Sequence, residues 1–430
     1  MAYSKQKTWY DATVQKPFQN YDQLDYDITL DICVLGAGFT GIEAAHLLSQ
    51  SPKGYHIAVI DAAYSGAGAA GRNGGHLDRG LARDALWIKN HYGDEMAKIF
   101  CHASTEARDQ VVANIRNYQI DCDLRFGHVT AALKPSHLSE LQMEEELWQS
   151  WGLAESTMLD RDQLTAYIQS PCYIGGSYNP KSGHLHPLKY LKAMNDEITA
   201  RGVKIFENTK AINIESQQDH VVIKTEKATM KAKKLIIAGD ALLGALVPKL
   251  KPRLMTATAH VIATEKIDHA QLNQIYPQNV AVYDANFIMN YFRPTADKRL
   301  IFGGSVSYGD MNAQAFYERE LLLKLKKIFP TLADLKADYF WSGKLGLTMN
   351  RMPDLGQLSP HVYYCQGLSG HGINTSHMAA KILTSALESE QKILDLCETI
   401  THYPFPGGAF FRRPAFMLAM LYYKLRDRFS

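Results

Sequence analysis

The sequence predicts an α/β protein of two domains, one an open parallel sheet flanked by helices and the other a smaller domain on an antiparallel sheet. Three observations carry this. Residues 31–61 read strand, glycine turn, helix, strand; residues 234–240 and 362–374 each read as a buried strand entering a glycine loop; residues 254–339 are dominated by strand patterns. At 430 residues the chain is past the size at which one core stops growing, so two domains are expected.

In chain order, residues 1–30 are polar and aromatic and read as an extended arm packing on the first domain. The strand Ile32-Cys33-Val34-Leu35 then empties into Gly36-Ala37-Gly38-Phe39-Thr40-Gly41. A helix follows with Ile42, Ala45, Leu47 and Leu48 mostly on one side, and a second strand, His56 to Ile60, ends on Asp61. The three glycines serve different ends. Gly36 makes the tight turn, Gly38 lets backbone approach a pyrophosphate, and Gly41 lets the helix pack on the strand. The helix N-terminus favours the phosphate charge. Asp61, twenty residues after Gly41, is placed to accept from ribose hydroxyls and disfavours a 2′-phosphate. Strand, helix, closing strand and acid together specify a Rossmann-like dinucleotide site. FAD and NAD both remain open at this point.

A second glycine cluster, Gly66 to His76, is too rich in glycine for a helix or strand interior. It reads as a flexible loop, or as one whose amides press on a flat ring with Arg72 and Asn73 as polar contacts. Residues 83–150 read as an amphipathic helical excursion, with a short strand pair at Cys122 to Leu133. His184-x-His186 lacks a third ligand at suitable spacing, so no metal is expected. Strands follow at 203–206, 209–214 and 221–223, and Lys234 to Asp240 is expected to return beside the first unit as a parallel strand. The second domain's strands are 259–264, 280–283, 287–293 and 299–304, with a helix from Ala315 to Phe329. Val362 to Asn374 reads as strand, glycine loop and helix start once more.

Lys and Arg number 46 against 44 Asp and Glu, a net charge of +2, which argues against nucleic-acid partners and for small-molecule chemistry. Six cysteines without a CxxC pair fit reduced thiols and a cytoplasmic location. No apolar h-region follows Lys5 and Lys7, and no run of about eighteen apolar residues spans a membrane. Residues 412–429 alternate apolar and basic positions and read as a helix on a membrane surface, on the protein itself or on a second subunit. Oligomeric state is left open.

The glycine cluster ending Gly71-Arg72-Asn73-Gly74-Gly75, with Gly183-His184-Leu185-His186-Pro187, Ser369-Gly370-His371-Gly372 and the tail His402 to Gly408, resembles the FAD-dependent amine and amino-acid oxidases of the D-amino-acid, glycine and sarcosine oxidase group. The resemblance covers nearly the whole chain and points to the branch that oxidises gamma-glutamylputrescine in putrescine catabolism. It implies an FAD domain of the glutathione-reductase type from residues 1–83, 175–252 and 341–430, and a substrate domain from 84–174 and 253–340. By the same resemblance Gly36, Gly38, Phe39, Thr40 and Gly41 hold the pyrophosphate and Asp61 and Ala62 the ribose. Arg72, Asn73, Gly74 and Gly75 line the isoalloxazine, Gly370, His371, Gly372 and Ile373 face its pyrimidine end, and Ala211, Gly239 and Gly343 complete the envelope. Asp61 stands where the family usually has Glu, and Ala70 where it usually has Ser. No cysteine lies between Trp341 and Pro353, so the FAD is expected to be non-covalent.

The implied reaction moves a hydride from the carbon beside the amine nitrogen to flavin N5, leaves an imine for water to hydrolyse, and reduces oxygen to hydrogen peroxide. Only a neutral nitrogen has the lone pair to expel the hydride. His76, Lys344 and His371 are candidates for catalytic support. Tyr283, Tyr291 and Arg293 are candidates for substrate contact, the Arg as a carboxylate fork. The alternatives are a pipecolate or proline dehydrogenase feeding a membrane carrier, a flavin-binding module without amine chemistry, and an NAD dehydrogenase.

Overall fold

The computed structural model describes residues 7–14, 20–307, 313–408 and positions 411, 414 and 417. The tail expected to form an amphipathic helix, 412–429, otherwise lies outside the described residues. Two sheets organise the rest. In the first, Ile28–Leu35 is central, with Thr229–Ile237 on one side and Ile57–Ile60 on the other. All three are parallel, as are Lys204–Phe206 beyond Ile57–Ile60 and Val362–Gln366 beyond Thr229–Ile237. The strand expected at 234–240 therefore lies beside the first unit, in register Ile32 to Lys234. Helices Phe39–Ser49, Pro187–Ala200 and Gly372–Leu387 pack on this sheet through Ile42, Leu191, Met378 and Leu383, all nearly inaccessible to water. These helices cover the face of Ile32, Val34, Ile57 and Val59, while Cys33, Ala58 and Ile60 on the other face pack with Leu24, Phe206, Val221 and Ile223, so the apolar strand Ile57-Ala58-Val59-Ile60 is buried on both sides.

The second sheet runs in the order Ala337–Leu347, Met255–Thr264, Leu300–Ser307, Tyr291–Pro294, Ala281–Asp284, Arg125–Ala132, Gly175–His184 and His76–Leu77. It is antiparallel except where Ala281–Asp284 runs parallel to Arg125–Ala132. Residues 125–132 are thus one strand, not the hairpin expected at 122–133, because their partners come from 175–184 and 281–284. Strands 175–184 and 337–347 belong to this sheet, so we propose a domain division that follows the sheets rather than cuts at 175 and 341.

Of the N-terminal arm, Leu24 packs on the first sheet as expected, but residues 9–13 are not extended. Trp9–Thr13 is a helix capped by Thr8, and Trp9 and Tyr10 are buried among Leu188, Val261, Ala263, Ile301 and Trp341. It packs against the second sheet because its two large aromatic side chains find an apolar face there.

Candidate active site

A cavity of about 1430 Å³ runs between the carboxyl edge of the parallel sheet and one face of the second sheet. Ligand pockets ordinarily enclose roughly 300 to 1,000 Å³, so this one has room for a dinucleotide and a further small molecule. Parallel sheets bind ligands at this edge.

The glycine turn of the first unit forms one end. Gly36 has φ +115°, and a Cβ there would lie 2.6 Å from Ala238 O. At Gly41 a Cβ would lie 1.9 Å from Gly36 O, so this glycine sits against backbone, not at the cavity wall. Gly38 differs: its Cβ would meet nothing nearer than Ala70 Cβ at 3.7 Å, and its surface faces the cavity beside Phe39 and Thr40. Asp61 and Ala62 border the same end. Asp61 accepts from Ala37 N at 2.9 Å and Ala63 N at 2.8 Å, and burial raises its pKa against those two bonds. Each carboxylate oxygen keeps a second lone pair. Ala211, Gly239 and Gly343 also line the cavity. Asp240 fixes the neighbouring loops by accepting from Gly346 N at 3.0 Å and Gly367 N at 2.6 Å.

The glycine cluster forms the long wall. Arg72, Asn73 and Gly74 border the cavity, and Gly75, at φ +78°, lies behind it, where a Cβ would be 2.2 Å from Leu185 O. The Asn73 side chain is occupied within the loop itself. Its Nδ2 donates to Ala69 O and Ala70 O, and its Oδ1 accepts from Gly75 N at 2.8 Å. It stiffens the loop rather than offering a polar side-chain contact. Across the cavity stand Gly370, His371, Gly372 and Ile373, where the helix Gly372–Leu387 begins without a side-chain cap. A Cβ on Gly370 or Gly372 would meet nothing within 4 Å. Asn374 Nδ2 donates to Gly80 O, which turns its Oδ1 to His371 Nδ1 at 3.0 Å. His371 therefore carries its proton on Nδ1 and leaves Nε2 as an acceptor.

The far wall is a patch of titratable side chains. Register places Tyr291 opposite Tyr283, Tyr283 opposite Thr130, and Thr130 opposite Ser177, and His128, two residues from Thr130, shares their face. Val129, Val282 and Phe292 alternate to the other face and fill the core. His76 comes from the short strand His76–Leu77, its ring 5.6 Å from those of His128 and Tyr291. Both His76 ring nitrogens are buried without a hydrogen-bond partner among the described residues, as is His128 Nε2. Burial, helped by His128, Arg293 and His184 and opposed by Asp78, holds His76 well below the ordinary imidazole pKa. His128 and His371 are lowered too, by burial against the pull of Asp78.

Asp78, absent from the sequence expectations, is the anion of this wall. It accepts from Ser182 Oγ at 2.6 Å and Tyr283 Oη at 2.8 Å, and lies 3.7 Å from His128 Nδ1. Burial alone would raise its pKa. The neighbouring His128 and His371 and its two hydroxyl bonds outweigh that and hold the carboxyl below the usual carboxylate range. His128 and Asp78 sit 50 residues apart and meet only because 125–132 and 76–77 both pair with 175–184, a tertiary fact with no local signal.

Arg293 does not reach the cavity wall. It is 2% exposed, and its guanidinium donates to Gly74 O, Pro294 O, Tyr10 Oη and His184 Nδ1. The carboxylate fork expected from the sequence is therefore corrected: the guanidinium is turned into the protein. Tyr283, Tyr291 and Lys344 do border the cavity. His184 and His186 make packing hydrogen bonds, to Asn279 and to Thr13.

Residues 31–386 match the family model described as FAD dependent oxidoreductase. The chain is 35% identical to the gamma-glutamylputrescine oxidoreductase of Escherichia coli (strain K12) over 422 residues, which covers 98% of each. Its fold is that of glycine oxidase from Geobacillus kaustophilus, with TM-score 0.72, 17% identity, and 87% and 99% of the two chains covered. The L-proline dehydrogenase of P. horikoshii has TM-score 0.71 at 18% identity, covering 86% of this chain and 96% of that one. The cavity fits the family's cofactor where Gly38, Gly370 and Gly372 leave open space that any side chain would fill.

Proposed function

Since the chain belongs to the FAD-dependent oxidoreductases, we propose that it is an oxidase of a mono-acylated diamine, with gamma-glutamylputrescine as the substrate, oxygen as the electron acceptor, water hydrolysing the imine, and aldehyde, ammonia and hydrogen peroxide as products. When bound, FAD supplies the hydride acceptor. The glycine turn, with Phe39 and Thr40, holds its pyrophosphate, Asp61 its ribose, and the loop 72–75 and residues 370–373 the two sides of its ring.

The observation that carries the amine reading is the wall of His76, His128, Tyr283 and Asp78 within the same cavity. An alkylammonium must lose its proton before its carbon can give up a hydride. His76 is neutral and neither ring nitrogen has a partner among the described residues, so a nitrogen is free to take that proton, at the cost of its depressed basicity. The transfer leaves an imidazolium, and the ionised Asp78 beyond His128 lies on the side that stabilises it. Tyr283 and Tyr291 give an aromatic surface for the alkyl chain. The 35% identity to the E. coli enzyme along its whole length supports the choice of amine.

The test is an anaerobic visible spectrum of the FAD-loaded protein before and after adding gamma-glutamylputrescine, putrescine or pipecolate. Bleaching by gamma-glutamylputrescine, with recovery and peroxide on admitting air, is the expected result. Bleaching by pipecolate alone overturns the substrate, and recovery that needs an added carrier overturns oxygen as acceptor.

A further inference from the structure

The loop 72–75 is held from behind, one carbonyl at a time, by four separate parts of the chain. Trp341 Nε1 donates to Arg72 O at 2.9 Å, Tyr10 Oη to Asn73 O at 2.6 Å, Arg293 Nε to Gly74 O at 2.6 Å, and Leu185 N to Gly75 O at 2.8 Å. With these four carbonyls bonded to the protein, Arg72, Asn73 and Gly74 still border the cavity, where their remaining surface is open to a ligand. Trp341 and Tyr10 are 0% exposed, so the clamp lies wholly inside the protein.

Arg293 brings more than a hydrogen bond. Every acceptor on its guanidinium among the described residues is uncharged: two carbonyls, the Tyr10 hydroxyl and the His184 imidazole. His184 is neutral, since its Nδ1 accepts from Arg293 while Nε2 faces Asn279 Oδ1 at 2.9 Å, and burial holds its pKa well down. His186 nearby accepts from Lys189 N on Nδ1 and faces Thr13 Oγ1 through Nε2, so it is neutral as well. Two acids stand in this region, each bonded elsewhere: Asp78 accepts from Ser182 and Tyr283, and Asp297 from Thr295, Arg299 and Trp9. A buried guanidinium with no carboxylate in contact is costly to fold around. Its field reaches the cavity, where it contributes to lowering His76.

We propose that Arg293 is a positioning residue for the cofactor: with Tyr10 and Trp341 it clamps the loop 72–75, and its unneutralised charge favours the reduced cofactor over the oxidised. A hydride brings two electrons and one proton to a neutral ring, so the ring that receives it gains one negative charge. A fixed cation bonded to the back of the loop that would seat the ring would stabilise this state selectively. The inference rests on seating the ring along 72–75, as in the proposed function. It makes the N-terminal helix, through Tyr10, part of the cofactor site.

The experiment measures FAD affinity by absorbance titration and the two-electron midpoint potential against reference dyes, for the wild-type holoprotein and the variants Arg293→Met, Arg293→Lys and Tyr10→Phe. Arg293→Met is expected to weaken binding of reduced relative to oxidised FAD at least tenfold, a fall in potential of about 30 mV. Arg293→Lys restores the potential but binds oxidised FAD several-fold more weakly, because the fork is lost while the charge stays. Tyr10→Phe also keeps the potential and raises the FAD dissociation constant several-fold. Arg293→Met protein that holds FAD at an unchanged potential overturns the electrostatic role. Tyr10→Phe protein with unchanged affinity and unchanged visible circular dichroism overturns the clamp, and this arm decides even if Arg293→Met does not fold. Wild-type protein that never takes up FAD sinks the seating itself, an outcome separate from either.

Discussion

His76 and Asp78 stand two residues apart and face opposite demands. Asp78 is buried but supplied with donors, so it stays ionised; the ring nitrogens of His76 are buried without donors or acceptors from the described residues, so it stays neutral. Their separate environments leave both groups without a titrating proton, one as an anion and one as a neutral imidazole. Replacing His76 with Ala is expected to slow flavin reduction by the substrate about 10²- to 10⁴-fold, the usual contribution of a positioned base. The FAD spectrum should survive, because His76 makes no hydrogen bond that holds the cofactor loop in place. Stopped-flow reduction across pH checks this, and an unchanged rate in His76→Ala removes it from the mechanism. Asp78→Asn should slow reduction as well, and should lower His76 and His128 further by removing the charge that now opposes their desolvation.

At the scale of elements, the strand-turn-helix of residues 28–49 separates two uses of glycine that the sequence motif presents alike. Gly41 packs helix on turn, and a methyl group there would overlap the Gly36 carbonyl at 1.9 Å. Gly38 opens onto the cavity. Gly41→Ala is therefore expected to destabilise the protein by about 3 kcal/mol or more, at the upper end of overpacking, whereas Gly38→Ala should fold with near wild-type stability and bind FAD at least tenfold more weakly. Urea unfolding of the apoproteins beside FAD titration distinguishes them, and equal behaviour of the two variants contradicts the assignment. This unit is fully legible in the sequence because its signals are local: apolar strands, glycine spacing and a terminal acid all fall within 31–61. The parallel strands at 234–237 and 362–366 are legible for the same reason. The far wall is not. His128 hides in a strand whose sequence reads as half of a hairpin, and Arg293 reads as facing substrate because alternation gives its face but not what covers it. The cover is Tyr10, 283 residues away along the chain, in a segment whose polar and aromatic composition suggests an extended arm.

Over the whole molecule the notable inventory is of buried neutral imidazoles. His128, His184, His186, His260 and His377 are each 4% exposed or less, and burial lowers the pKa of every one. His128, His184 and His260 stand in strands of the second sheet, His186 caps the helix Pro187–Ala200, and His377 lies within the helix Gly372–Leu387. For His186 and His260 the folded values are about 2 and about 4. An unfolded imidazole takes up its proton near pH 6.5, while the folded ones stay neutral until the pH has fallen much further, so below 6.5 the unfolded chain binds more protons and stability drops as pH drops. At pH 5.5 each such histidine costs about 1.4 kcal/mol, or about 2.8 kcal/mol for these two. Asp284 acts in the opposite sense. Burial raises it to about 6, so the folded state holds its proton through a window where the unfolded carboxyl has lost it, and falling pH stabilises the fold by about 1 kcal/mol over the same interval. The histidines win. Stability is expected to be highest above pH 6.5 and to fall by about 2 kcal/mol on going from pH 7.5 to 5.5. Urea midpoints of the FAD-free protein at the two pH values measure this, and His186→Gln should reduce the slope. A protein equally stable at pH 5.5 would contradict the neutral state of His186 and His260 in the fold.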